Sequence, residues 1–329
     1  MSRSTKIWLV VAAILVVAGI VLFSVVMWQT AFDFDKLSTG NYITNAYTIS
    51  EGFDKLSMDT DTASIVFALS QDGTCKVECY EEEKAKHTVT VEGDTLVVKV
   101  TDHRQWYDHI GIHFDSPKIT VYLPKTAYTA LSIHDGTGII QLPTELTFES
   151  VDITTDTGSV NCFAIVSGLL KIKTSTGKIC VENTSVGAAE LSVSTGLVTV
   201  SQVNCIEGMN VHVSTGRANL TDIACKNFTS SGDTGDIALK RVIAEEKITI
   251  KRSTGDVMFD GSDAAGIFVE TDTGDVTGRL LMAKVFVASS DTGTVRVPRS
   301  IIGVGRCEIR TDTGDIIITV PEIERPFFN

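Results

Sequence analysis

Asp156-Thr157-Gly158-Ser159 spells the tetrapeptide with which aspartic proteases make two carboxylates share one proton. The same Asp-Thr-Gly recurs at Asp233, Asp272, Asp291 and Asp312, so the triplet reads as a turn inside a repeat, and no catalytic residue is expected. Carboxylates at Asp233, Asp236, Asp256, Asp272, Asp275, Asp291, Asp312 and Asp315 would line one edge of stacked repeats. Calcium takes 6–8 oxygen ligands, and the Asp density here falls short of calcium-binding β-rolls. A solvated acidic edge is therefore expected, with no metal and no cofactor.

His103, His109 and His113, with Asp108 and Asp115, crowd one polar segment. His-x3-His suits a metal on a helix, but nothing in this stretch is helical, so a surface loop is expected. Trp106 and Tyr107 stand in that loop. Exposed aromatics are favoured contact residues, which makes this pair the candidate binding patch. Of seven cysteines, none forms a metal-binding Cys-x-x-Cys. Cys205 and Cys225 follow Gly196 and Gly216 by nine residues each, which places them in equivalent positions of adjacent repeats. They are a candidate disulfide, with two stacked thiols as the alternative; Cys75 and Cys79 are a weaker pair.

The elements that position these residues follow from a period. Ten of the Thr-Gly pairs fall on a regular spacing, their glycines 19 to 21 residues apart from Gly138 to Gly314. Two residues after each Gly stands a small or branched apolar residue (Ile140, Val160, Ile179 and onward to Ile316), and five before it usually another, such as Ile133, Ile153 and Ile172. Alternation with period two on both sides of the Gly predicts two short strands and a tight bend. The pairs Thr157-Gly158, Thr176-Gly177, Thr195-Gly196, Thr234-Gly235, Thr273-Gly274 and Thr313-Gly314 are read as structural turns, of type II, with Gly supplying the positive φ and Thr on the inward parity. A 20-residue unit cannot bury an apolar face alone, so successive copies must stack as an all-β solenoid.

Residues 126–320 are assigned to the regular solenoid, 46–125 to an N-terminal β region that caps it, and 321–329 to a tail. Within the cap, 53–67 reads as a degenerate first copy with Ala63 for Gly, 88–100 as a hairpin turning at Gly93, and 119–124 as a strand stopped by Pro124.

Ahead of these lies Ile7 to Trp28, 22 residues without a charge, long enough to cross a bilayer of about 30 Å as a transmembrane helix. A cleaved signal peptide would have a shorter apolar stretch and a small-x-small site, so a retained signal anchor is expected. Residues 1–6, with Arg3 and Lys6, are assigned to a cytoplasmic tail by the positive-inside rule, and 29–45 to a juxtamembrane linker. The net charge is −13, and removing the two N-terminal cations leaves −15 on the rest, which excludes binding to nucleic acid by phosphate neutralisation.

FDKLSMDT, then EGDTLVVKV, KITVYLPKTAYTALSI and the repeated TGDI and TGDV together resemble the bacterial "putative adhesin" domain, a β-strand-repeat family of unknown function. The resemblance covers about Phe53 to Pro321 and rests on Tyr122-Leu123-Pro124 and the Asp-Thr-Gly-Asp corners at Asp233, Asp272 and Asp312. Lys178, Leu197 and Arg217 depart from it where Asp is common. It implies a β-solenoid at the cell envelope and supplies no substrate. The expectation is a single-pass cell-membrane protein, N-terminus cytoplasmic and bulk extracellular, held in the lipid bilayer by Ile7–Trp28. Its solenoid would bind an unknown surface ligand or membrane protein. The alternative is an envelope-stress sensor acting through a membrane partner. Calcium-binding and polysaccharide-active readings rank below both: repeats of 19–21 residues leave no loops to wall a cleft, so an enzyme is not expected.

Overall fold

A computed structural model describes residues 3–29, 41–105, 116–300 and 305–321. Among the described residues one helix, α1 (Arg3–Gln29), is followed by seventeen strands hydrogen-bonded into a single sheet. The helix carries almost all its apolar side chains exposed, from Ile7 and Trp8 to Val26 and Trp28, with Met27 buried. Strand β1 (Tyr42–Ile49) begins inside the span read as linker. It starts there because its residues pair antiparallel with β4 (Cys75–Glu82), from Tyr42 opposite Glu82 to Ile49 opposite Cys75.

The regular part is a β-solenoid. In β8 (Ala127–Leu142), β9 (Thr147–Cys162), the 70-residue β10 (Ile165–Thr234), β11 (Ile237–Thr254) and β12 (Val257–Thr273), each coil lies parallel on the next, like residue over like residue. Gly138 pairs with Gly158 and Gly158 with Gly177. The apolar positions two after the glycines are fully buried from Ile140 to Val276, as are those five before from Ile133 to Val269, and they form continuous core columns. Such like-on-like columns keep every coil the same width, which is why the period varies so little.

Each coil bends at two corners. At the first, the glycines from Gly158 to Gly314 have φ of 127° to 157°, far more extended than the roughly +80° of a type II turn. The expected turn type is therefore corrected. Glycine is required because the coils approach closely: a Cβ on Gly216 would stand 1.8 Å from the carbonyl oxygen of Gly196, and one on Gly177 1.7 Å from that of Gly158. The preceding threonines are also not inward. Thr157, Thr176, Thr195, Thr234, Thr273 and Thr313 are all exposed, and the inward residue is two earlier, as in buried Thr155, Thr174, Thr271 and Thr311. Alternation fails there because two consecutive residues must lie outside the bend for the chain to turn while its apolar face stays inside. The second corner comes six residues after the Gly, at Asn183, Gln202, Asp222, Arg241 and Gly261, with φ of 51° to 66°.

At both ends the order of stacking departs from the order of sequence. Strands β2 (Lys55–Thr62) and β3 (Ser64–Leu69) form the first coil, with Thr62 paired to Thr137 of β8. The next coil, β6 (Thr95–Asp102) with β7 (Lys118–Leu123), lies on the far side of that first one. At the other end, β13 (Val276–Leu280), β14 (Val285–Thr292) and β15 (Val295–Arg296) are followed by β16 (Arg306–Thr313) and β17 (Ile316–Thr319), which insert between β12/β13 and β14/β15. The glycine column runs Gly255, Gly274, Gly314, Gly293. Being outermost, Val295 is 40 % exposed where its counterparts are buried. In both cases the terminal coil of the sequence is held between two others and cannot peel away first.

The segment between β13 and β14 is pinned by a buried ion pair: Lys284 Nζ lies 2.6 Å from Asp263 Oδ1, and Asp263 Oδ2 accepts the Met282 N–H at 2.7 Å. The N-terminal end is closed by antiparallel strands, with β5 (Ala85–Glu92) on β6 through the Gly93 turn and β4 on β7. These antiparallel neighbours cover edges that would otherwise pair with other chains.

Candidate functional site

The Asp-Thr-Gly-Asp corners come first because their residue types could do chemistry. Asp156, Asp233, Asp272 and Asp312 are exposed beside the glycine column and occupy repeated structural places. Where an Asp follows the Gly, at Asp236, Asp256, Asp275 and Asp315, it has a definite task. Asp236 Oδ1 accepts the backbone N–H of Asp256 at 3.1 Å, Asp256 that of Asp275 at 2.8 Å, Asp275 that of Asp315 at 2.7 Å, and Asp315 that of Thr294 at 2.7 Å. These four members of the expected acidic edge form a ladder, each carboxylate satisfying a donor of the coil above, while Asp233, Asp272, Asp291 and Asp312 are exposed. Arg217, at the equivalent position one coil below, places Nε 3.3 Å from Asp236 Oδ2 and compensates the start of the row.

Polar side chains converge in a different manner at the N-terminal end. Alternation in β4 turns Cys79 and Glu81 to the same inward face, and β5 brings His87 against them. Glu81 is wholly buried. Its Oε1 accepts Asn45 Nδ2 of β1 at 2.6 Å, and its Oε2 accepts the His87 backbone N–H at 2.6 Å and contacts His87 Nδ1 at 2.7 Å. Tyr47 donates its hydroxyl to the His87 carbonyl at 3.1 Å. Burial, then the nearby Glu81 and Cys79, raise the Tyr47 hydroxyl, and burial pushes the Cys79 thiol up to about 12. His87 is 4 % exposed, and its second ring nitrogen, Nε2, has no hydrogen-bond partner among the described residues.

His87 also lines a cavity of about 190 Å3, together with Asp61, Glu82, Arg104, Ser116 and Pro117. Arg104 spans its mouth, with Nη2 2.7 Å from Asp102 Oδ2 and Nη1 3.4 Å from Glu82 Oε2. The hydrogen bond to Asp102 comes first in holding that guanidinium's proton more tightly. Among the described lining residues two carboxylates, Asp61 and Glu82, face one guanidinium, Arg104.

The model of the Toastrack DUF4097 family matches residues 53–220 and 197–326. The chain belongs to that family. Solved structures similar to this Toastrack chain include a "putative adhesin" from Parabacteroides merdae ATCC 43184, 15% identical, covering 74% of this chain and 98% of that one with a TM-score of 0.47. A "putative lipid binding protein" from Parabacteroides distasonis ATCC 8503 is 17% identical over 73% of this chain and 95% of its own, with a TM-score of 0.46. A "putative adhesin" from Bacteroides fragilis NCTC 9343 is 15% identical over 85% and 97%, with a TM-score of 0.36. Comparison with curated proteins returned no match.

Within the Toastrack fold, Trp106, Tyr107, Asp108, His109, His113 and Asp115 lie outside the described residues. Arg104 and Ser116, flanking that segment, line the cavity, so the sequence patch and the cavity adjoin along the chain. Cys205 and Cys225 are buried free thiols, as are Cys75 and Cys79. In a parallel ladder the Cβ atoms of adjacent coils stand about 4.8 Å apart with parallel Cα–Cβ bonds, whereas a disulfide needs about 3.8 Å. Cys205 Sγ instead points to the carbonyl of Gly208 at 3.4 Å. The grouping of Glu81 with His87 and Cys79 was missed from sequence. Its one signal was the shared parity of Cys79 and Glu81 in a β-alternating stretch.

Proposed function

We propose that this Toastrack protein is a cell-envelope binding protein: α1 anchors it in the membrane with the N-terminus cytoplasmic, and the solenoid stands outside as a rigid adhesive or ligand-binding surface. The observation that carries this reading is α1, a 27-residue helix whose only cationic residues are Arg3 and Lys6 at its N-terminal end and whose apolar side chains are almost all exposed. An exposed apolar helix of this length matches the hydrocarbon thickness and costs too much in water. A non-enzymatic role is supported by the regular coils, which among the described residues project no catalytic wall, and by the carboxylates of Asp256 and Asp275, which are held by backbone donors.

Protease treatment of intact cells tests the topology: digestion of the solenoid with retention of a membrane-embedded α1 fragment is expected, and complete protection would overturn the reading. Crosslinking on intact cells followed by mass spectrometry tests the role. Capture of an external glycan or surface protein is expected. Capture of a transmembrane kinase or transporter alone would replace adhesion with signalling.

A further inference from the structure

We propose that Cys79, Glu81 and His87 form a transition-metal site of the chemistry that Zn2+ takes, sealed under the N-terminal cap of the solenoid. A thiol, a carboxylate and an imidazole are the three side chains that bind Zn2+ in proteins. Here one ligand atom from each lies within 4.8 Å of the other two, and all three residues are buried. Zn–ligand bonds of about 2.0–2.3 Å put tetrahedral ligand atoms about 3.3–3.8 Å apart, so movements of about an ångström close the set.

Charge points the same way. Glu81 is a fully buried carboxylate, and Cys79 contributes a second negative charge once its thiol proton leaves. A divalent ion then makes the buried centre neutral, which neither a monovalent cation nor an anion would do. The proton balance is explicit. Zn2+ displaces one proton, from Cys79 Sγ, to solvent. The imidazole proton facing Glu81 moves from Nδ1 to Nε2, freeing Nδ1 as the ligand. That transfer gives a purpose to the unpartnered Nε2, since His87 lines the cavity of about 190 Å3, where water can accept the relocated proton. Asn45 Nδ2, bonded to Glu81 Oε1 at 2.6 Å, supplies the outer hydrogen bond that orients metal-binding carboxylates. The thiolate selects Zn2+ or Co2+ over Ca2+ and Mg2+.

The test uses the full chain in detergent, stripped with chelator and titrated with Co2+ and then Zn2+. One Co2+ per chain with thiolate-to-cobalt charge-transfer absorption is expected, bleached by Zn2+ and untouched by Ca2+. The variants C79S, E81Q and H87A should each weaken Zn2+ binding at least tenfold, while D152N, on an exposed strand residue, should not. Because the absorption band is read in the unsubstituted chain, misfolding of a variant does not blunt the test. Absence of the band, or Co2+ binding that survives C79S in a chain with native circular dichroism, would overturn the proposal.

Discussion

The carboxylate of Asp315 accepts the backbone N–H of Thr294 at 2.7 Å, although Thr294 lies 21 residues earlier in the chain. The direction of that bond records the inversion at the C-terminal end. The coil that leaves last is clasped beneath the one before it, and its corner aspartate holds that outer coil down.

Replacing Asp315 by Ala is expected to free the Thr294 N–H and loosen β14/β15 alone. The cost should be about 0.5–1.5 kcal/mol, with D315N retaining part of the bond. Amide hydrogen exchange at Thr294 should accelerate while exchange at Gly177 stays unchanged. Uniform acceleration along the solenoid would contradict the ladder.

Gly216→Ala is expected to destabilise the chain by roughly 3 kcal/mol or more, because the new methyl meets the Gly196 carbonyl at 1.8 Å and φ is 135°. Gly208→Ala is the matched control: its nearest neighbour would be 3.8 Å away, and the change should stay within about 0.5 kcal/mol. Urea melts of both variants in the same detergent read the difference.

Asp135 is fully buried at an inward corner position, where Thr60 donates its hydroxyl to Oδ1 at 2.6 Å. Burial pushes its carboxyl up to about 6. Since the folded value exceeds the unfolded value of about 3.9, this group's contribution is complete below about pH 4 and is lost as pH rises through 6. The loss amounts to about 2–3 kcal/mol. D135N should flatten the stability profile between pH 4 and 6. An unchanged slope in D135N would assign that slope to other groups.

Cys205 and Cys225 should remain reduced even in an oxidising compartment. Burial pushes the Cys225 thiol up to about 12, which removes the reactive thiolate. Native protein is expected to react slowly with thiol reagents, and unfolded protein to titrate all seven cysteines. A mass deficit of two hydrogens mapping to this pair would show the bridge after all.

Much of the fold was legible because a repeat multiplies its own signal. A Gly at φ near 150°, placed against a carbonyl of the neighbouring coil, tolerates no side chain, so Thr-Gly marks the first corner of each regular coil. Apolar residues two after and five before it follow directly from burial on one face. The carboxylate ladder was harder to see. Sequence displays an Asp after Gly235, Gly255, Gly274 and Gly314 but not the donor above it, so Asp256 and Asp275 read as free charge when they are hydrogen-bond acceptors. The inward Thr misled because strict alternation was carried through a bend that interrupts it.

The sequence alone determined the coil: its length, its apolar columns, its glycine corners and the apolar helix ahead of it, all local consequences of period and side-chain size. Only the tertiary structure decided which coil rests on which. Near-identical parallel coils offer one another the same hydrogen bonds in any order, so Gly314 can lie on Gly274 as readily as Gly293 could. The meeting of Cys79, Glu81 and His87 was likewise settled only in three dimensions. It depends on antiparallel strands closing the end of the stack, where the repeat no longer dictates who faces whom.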